Sequence, residues 1–196
     1  MPRPSHREKL LEEGLRVVLE HGYNGASVRD IVRAAGVPQG CFTNHFRSKE
    51  AFAEEVLNRY FDAAASKVHE TLLNDNLPPL ERLRAWVDAH IESLARSNFR
   101  TGCLVGNFTL EIVESDSIRA RLREMIESIE QAVGECLTAA VQAGELPPST
   151  DVRGLASFAY FSWQGAVGQA KIERCVRPLE LYKDILFGRV LSGDGR

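Results

Sequence analysis

At 196 residues the chain is long enough for one large domain or for a small domain joined to a larger one, and a chain of this length buries about 70% of its unfolded surface without help from disulfides or metals. Its 44% apolar and 26% charged residues exclude the weakly hydrophobic, highly charged composition of a disordered protein. The net charge of -3 argues against a chain coated in nucleic acid, yet residues 1–50 hold 8 basic and 6 acidic side chains, with three of the five histidines, while the remaining residues hold 16 and 21, so a local basic face on an acidic body stays open.

No run of 18 apolar residues occurs, and the opening MPRPSHREKLLEEG meets acidic residues before an apolar core forms. Neither a membrane span nor a secretory signal is expected, which predicts a cytoplasmic protein. Cys41, Cys103, Cys136 and Cys175 lie far apart, without zinc-knuckle spacing and without a His that completes a ligand pattern. They read as free thiols in a reducing compartment, and no metal or cofactor is expected.

Apolar residues recur at helical spacing almost throughout, so the predicted fold is all-α. Leu11, Leu15, Val18 and Leu19 predict a first helix that stops at His21-Gly22, with Gly22 placed for a left-handed cap. Ser27, three residues before Asp30, is a capping-box start for a short helix over 27–35, ended by Gly36. Val37-Pro38 opens another over 38–45, where Pro suits the first turn. Ser48 caps a fourth helix, with Phe52, Val56, Tyr60 and Ala64 on one face. Residues 74–79 break the pattern with two prolines, and the next helix carries Leu83, Trp86 or Val87, His90 or Ile91, and Leu94. Leu104, Phe108 and Ile112 predict a short helix over 103–113, and Ile118, Leu122, Met125, Ile129 and Val133 begin the longest amphipathic run, which Gly144 ends. Ser149 or Thr150 caps a helix over 151–168 whose mixture of small and aromatic residues predicts a central or subunit-contacting position. Pro178 fits the first turn of a final helix carrying Leu179, Tyr182, Ile185, Leu186 and Val190.

Two short helices joined by Gly36-Val37 behind a longer one predict a helix-turn-helix, whose second helix enters the major groove of DNA. On that helix Gln39 and Asn44 can pair with adenine edges, and Thr43 can touch a thymine methyl. Gly40 allows close approach, and the N-terminus at Ser27 suits a phosphate. Val28, Ile31, Ala35, Val37, Phe42 and Phe46 are assigned to the core, and Cys41 is either a small side chain near DNA or a buried filler, with the filler favoured.

Residues 10–57 resemble the DNA-binding domain of the TetR family of bacterial transcriptional regulators: HGY at 21–23, then SVRDIVRAAGVPQGCFTNHFRSKEAF over 27–52, with "AAGV", "HF" and "SKEAF" at that family's spacing. The resemblance implies an all-helical homodimer whose heads bind a palindromic operator and whose body binds an effector that releases DNA. It also implies phosphate contacts from Ser27 and Lys49. Thr43 departs from the Tyr usual at its position, which shifts phosphate contact toward His45, Arg47 and Lys49.

The body supplies an expected apolar effector pocket from Trp86, His90, Phe99, Cys103, Phe108, Met125, Tyr160, Phe161 and Trp163. Cys103 sits at a predicted helix start, where free N–H groups lower a thiol pKa. Its surroundings, TGCLVGNFTLE over 101–111, resemble the electrophile-sensing N-ethylmaleimide-repressor branch of the family, where such a Cys is the sensor. The expected organisation is a three-helix DNA-binding head over 1–50 and an effector-binding and dimerisation body over 51–196. Residues 151–191 form the expected dimer surface, with Phe158, Gly165, Ala166, Tyr182 and Leu186 in it. A dimer then sets its recognition helices about 34–36 Å apart over a palindrome. The leading expectation is a repressor released by a small molecule, with activation open as the opposite sign. The alternatives are a thiol sensor acting through Cys103 and a helical interaction module that does not bind DNA. No phosphate loop, nucleophile elbow or HExxH pattern points to catalysis, and His90 and Glu111 have no spacing that makes them an acid–base pair.

Overall fold

A computed structural model describes residues 5–111 and 115–192. Among these all regular structure is helical: α1 His6–Gly25, α2 Val28–Ala35, α3 Gly40–His45, α4 Lys49–Glu70, α5 Pro79–Arg96, α6 Leu104–Glu111, α7 Asp116–Gln142, α8 Val152–Glu173 and α9 Arg177–Ile185, with a π-helical turn Leu186–Val190 continuing α9. The expected all-α architecture, a helix-turn-helix followed by a larger helical body, is the one observed. Ile112 and the predicted end of its helix at 113 lie outside the described residues. No helix among the described residues is long and apolar enough to cross a membrane.

Local signals set most helix ends. Ser27 and Asp30 form the reciprocal capping box, and Gly36 closes α2 in the left-handed conformation. The regular helix of α1 is interrupted at Gly22, but at φ 76° and ψ 173° rather than in the left-handed helical cap the sequence suggests, a combination open essentially to glycine alone. α3 begins two residues later than predicted. Bonds from Cys41 N–H to the Pro38 carbonyl (2.9 Å) and from Phe42 N–H to the Gln39 carbonyl (3.4 Å) tighten residues 38–42 into a turn before the helix proper. α8 is capped by Asp151, whose carboxylate accepts from Gly154 N–H at 3.0 Å, rather than by Ser149 or Thr150. It runs five residues beyond the predicted end, to a left-handed Arg174, because 169–173 contains no residue that breaks a helix.

The chain divides into two compact units, Met1–Ala63 with Cys103–Arg123, and Ala64–Gly102 with Glu124–Arg196. In this packing α6 and the start of α7 group with the N-terminal helices. In the first unit Phe42, Phe46 and Phe52 are buried with ring centroids 5.0 to 5.3 Å apart, and they join Leu10, Ile31, Val56 and Leu57 in the core. In the second unit α5 begins at Pro79, and the Glu145 carboxylate accepts from the half-buried Leu80 N–H, one of the helix-end donors without an intrahelical partner, at 2.8 Å. Cys136 donates to the Pro79 carbonyl at 3.0 Å, and burial pushes its thiol up to about 11. The Tyr182 hydroxyl on α9 donates to the Ala159 carbonyl on α8 at 3.0 Å.

Candidate functional site

The face predicted for DNA recognition is built on the three-phenylalanine core. A six-residue helix has room for one inward turn, and α3 gives it to Phe42, which is buried. Gln39, Gly40, Thr43, Asn44, His45 and Arg47 are all exposed, so five polar side chains and one glycine share the outer side of α3 and the segment that follows it. Nothing lies within 4 Å of where a side chain would begin at Gly40. The Thr43 hydroxyl donates to the Gly40 carbonyl at 3.1 Å. Cys41 is half-buried with its Sγ 3.4 Å from His6 Nδ1, on the side of the helix turned toward α1.

Ser27 is exposed at the start of α2, and its Oγ accepts from Asp30 N–H at 3.1 Å. The hydroxyl and backbone of Ser27 hold the Asp30 carboxyl below the ordinary range, with Arg33 adding to the effect. The arrangement caps the helix and leaves Ser27 at the surface. Lys49 behaves differently from the other basic candidates. Half-buried, it donates to the Tyr23 carbonyl at 2.6 Å, with its ammonium 4.3 Å from the centre of the Tyr23 ring.

The residues predicted for an effector pocket do not form one group. Cys103 and Phe108 belong to the first unit, where Phe108 is buried against Tyr23 (5.6 Å between centroids) and Cys103 is half-buried with its Sγ 3.9 Å from the Tyr60 hydroxyl. Trp86, His90, Phe99, Met125, Tyr160, Phe161 and Trp163 belong to the second. There Trp86, His90, Trp163 and Tyr182 form a chain of rings with centroids 4.5, 6.1 and 5.3 Å apart. Tyr160 and Met125 are buried, whereas Phe161 is 64% exposed and stands outside that core. Phe99 is half-buried in a positive-φ conformation, and its carbonyl accepts from Arg174 at 3.0 Å.

Polar atoms inside the ring chain have defined states. His90 Nδ1 lies 2.8 Å from the Trp86 carbonyl, which can only accept, so Nδ1 carries the proton. Burial pulls the imidazole down to about 4, and the charge of Lys67 adds to this, leaving a neutral ring with Nε2 as an acceptor at pH 7. Trp86 is 6% exposed, and its indole N–H is the one buried side-chain polar atom without a hydrogen-bond partner among the described residues.

A separate apolar groove of about 390 Å³ runs between α8 and α9, lined in part by Phe158, Gly165, Ala166, Tyr182 and Leu186, the five residues predicted for a dimer surface. Phe158, Leu181 and Ile185 in its lining are exposed large apolar side chains. A second open groove lies between α7 and α8, with Glu127, Glu130 and Arg153 on its rim.

The sequence singles out Glu111 only as a rejected acid–base partner of His90 and does not show its contact with the end of α1. Its carboxylate accepts from Asn24 N–H at 2.6 Å, and a side chain at Gly22 would overlap it. A glycine in the middle of HGYN was the available signal for such an approach, but the partner lies 87 residues away.

Residues 10–56 match the family described as bacterial regulatory proteins, tetR family, and residues 79–186 match the tetracyclin repressor-like C-terminal domain. The chain is 38% identical over 192 residues to the HTH-type transcriptional repressor DhaR of Mycobacterium sp. (strain GP1), covering 97% of this chain and 95% of that protein. A solved structure of regulatory protein TetR from Rhodobacter sphaeroides superposes with a TM-score of 0.89 at 34% identity, covering 94% of this chain and 97% of that one. The reduced form of Escherichia coli NemR superposes with a TM-score of 0.79 at 28% identity, covering 90% and 92%.

Proposed function

Because the chain belongs to the TetR family of bacterial transcriptional regulators, we propose that it is a repressor that binds a palindromic operator as a homodimer and leaves it when a small molecule occupies the body. The observation that carries this reading is the exposed polar face of α3 on its phenylalanine core, which offers hydrated side chains to base edges at the position the family uses for recognition. Gln39 and Asn44 read bases, while His45 and Arg47 meet phosphates. DhaR and NemR, both named repressors, support the sign of regulation.

The groove between α8 and α9 supports dimerisation, because a second copy laid on it would cover Phe158, Leu181 and Ile185. The space beside Gly165 is open within one subunit, so Gly165→Glu is expected to leave the fold intact and to dissociate the dimer in analytical ultracentrifugation. An effector that prefers the head spacing unsuited to DNA by about 1–3 kcal/mol lowers operator affinity roughly 5- to 150-fold. The Trp86 N–H donor and the neutral His90 acceptor favour an uncharged, largely apolar effector bearing a group such as a hydroxyl that can accept from one and donate to the other.

A second reading rests on Cys103, half-buried immediately before α6, together with the similarity to NemR. In it, the Cys103 thiolate adds to an electrophilic alkene; a C–S bond forms, the C=C π bond breaks, and the carbon takes a proton from water. The test is selection of genomic fragments on the purified dimer at about 0.15 M salt, followed by gel-shift titration of the recovered duplex with and without reactive and unreactive compounds. Recovery of one palindrome supports the repressor, and failure to enrich any sequence contradicts it. Loss of response to electrophiles alone in Cys103→Ser supports the thiol sensor, whereas a fully responsive variant removes it.

A further inference from the structure

We propose that Lys49 and Glu111 are positioning residues for operator binding: from α4 and α6 they fix the Gly22–Asn24 turn that leads into the helix-turn-helix, and Lys49 serves this turn rather than a DNA phosphate. The inference rests on the repressor reading and concerns how the head is held. Lys49 stands where the resemblance to the family implies a phosphate contact, yet its ammonium donates to the Tyr23 carbonyl at 2.6 Å and covers the Tyr23 ring at 4.3 Å. To reach a phosphate it would abandon both, leaving a carbonyl without this donor and a ring face without its cation. Arg47, two residues earlier, is exposed and has no such tie.

Glu111 holds the same turn through different atoms. Its carboxylate accepts from Asn24 N–H at 2.6 Å, and its backbone carbonyl accepts from Asn24 Nδ2 at 3.4 Å. Gly22, at φ 76° and without a side chain, makes room for that carboxylate. Phe108 on the same helix packs against the Tyr23 ring, and Asn107 donates to the Leu19 carbonyl at 3.4 Å. The turn therefore has one clamp from the first residue of α4 and another from the last residue of α6. Partial burial lowers the Lys49 pKa and the negative charge of Glu111 opposes the shift, so the two clamps also interact electrostatically. Three residues beyond Asn24, Ser27 caps α2, and only the Gly36 turn separates α2 from the recognition helix. The position of the turn is thereby passed to α3.

Salt dependence separates the two roles, because removing a phosphate contact reduces the slope of log affinity against log salt by about one, whereas removing a strut lowers affinity at unchanged slope. The probe is a duplex selected from a randomised library on the full-length protein. Lys49→Met is expected to lose about tenfold or more in affinity with the wild-type slope, whereas Arg47→Ala, the internal reference, loses about one from the slope. Glu111→Gln is milder, and its loss combined with that of Lys49→Met is less than multiplicative. Hydrogen exchange at the Asn24 amide gives a readout without DNA, and protection is expected to fall in Glu111→Ala and in Lys49→Met. A slope reduced by about one in Lys49→Met, or unchanged Asn24 protection in Glu111→Ala, overturns the proposal. Failure of the wild-type protein to select any duplex counts instead against the repressor reading, and the exchange measurement then still decides whether the clamps exist.

Discussion

On α3 and the residues flanking it, Gln39, Asn44, His45 and Arg47 stand in water above three packed phenylalanine rings, whereas Trp86, Trp163 and Tyr182 of the second unit are buried in an aromatic chain. The first region keeps its hydrogen-bonding groups hydrated, so they cost little in the free protein, and under the proposed function they would exchange that water for base edges and phosphates. The second region turns Tyr182 and His90 onto backbone carbonyls and leaves one buried donor, the Trp86 N–H, without a partner. A buried unpartnered donor is costly, and a bound acceptor relieves that cost. In the proposed function, reading DNA and sensing a small molecule would place opposite demands on burial, and the exposed polar face and the buried aromatic chain differ in that sense.

The largest effect expected from disturbing this contrast comes from removing the support beneath the recognition face. Phe52 is 1% exposed and packs against the rings of Phe42 and Phe46, so Phe52→Ala is expected to cost about 3–5 kcal/mol in a denaturant melt and to abolish operator binding. Next comes the pH response of the aromatic chain. The folded state holds His90 near pKa 4, below its ordinary value of 6.5, so the unfolded chain takes up the proton first as pH falls. Stability is full above about pH 6.5 and is lost from there down toward pH 4, by a total on the order of 3 kcal/mol. His90→Gln is expected to remove this part of the pH dependence in thermal melts across that window.

Smaller still is the effect of Trp86→Phe, which deletes the unpartnered donor and retains a ring. Calorimetric titration is expected to show about 1–3 kcal/mol weaker binding of a hydroxyl-bearing effector, while the ligand-free variant binds operator as the wild type does. Unchanged effector binding would separate the aromatic chain from the sensing role. The smallest effect is expected for Ser27→Ala, which loses one half of the capping box and about 1 kcal/mol of stability, read by chemical denaturation. A much larger fall in operator affinity than in stability would show Ser27 at the DNA backbone as well as at the cap.

Features governed by neighbours in sequence were the legible ones. Ser27 and Asp30, Gly36, and Pro178 near the start of α9 each act within a few residues of themselves, and each ends or starts a helix as the sequence indicates. The cap of α8 was ambiguous because Ser149, Thr150 and Asp151 can all accept a backbone N–H, and only the folded geometry selects Asp151. Periodicity also failed along α8, where apolar residues occur on several sides. Tyr160 and Trp163 point inward, while Phe161 between them is largely in water. The remaining omissions were long-range: Glu145 completes the start of α5 from 65 residues away, and Glu111 reaches the turn at Asn24 across 87. The family resemblance implies a phosphate contact for Lys49, whereas its bond to the Tyr23 carbonyl cannot be read from the sequence, because a backbone carbonyl carries no sequence signature.

The central claim is that the exposed side of α3 reads an operator sequence. It is tested most directly by selecting duplexes from a randomised library with the wild-type protein and with Asn44→Ala and Arg47→Ala, then titrating the recovered sites at several salt concentrations. The account predicts one palindromic consensus for the wild type, a relaxed consensus at particular bases for Asn44→Ala, and an unchanged consensus with uniformly weaker, less salt-dependent binding for Arg47→Ala. Identical consensus and affinity for all three proteins would contradict it.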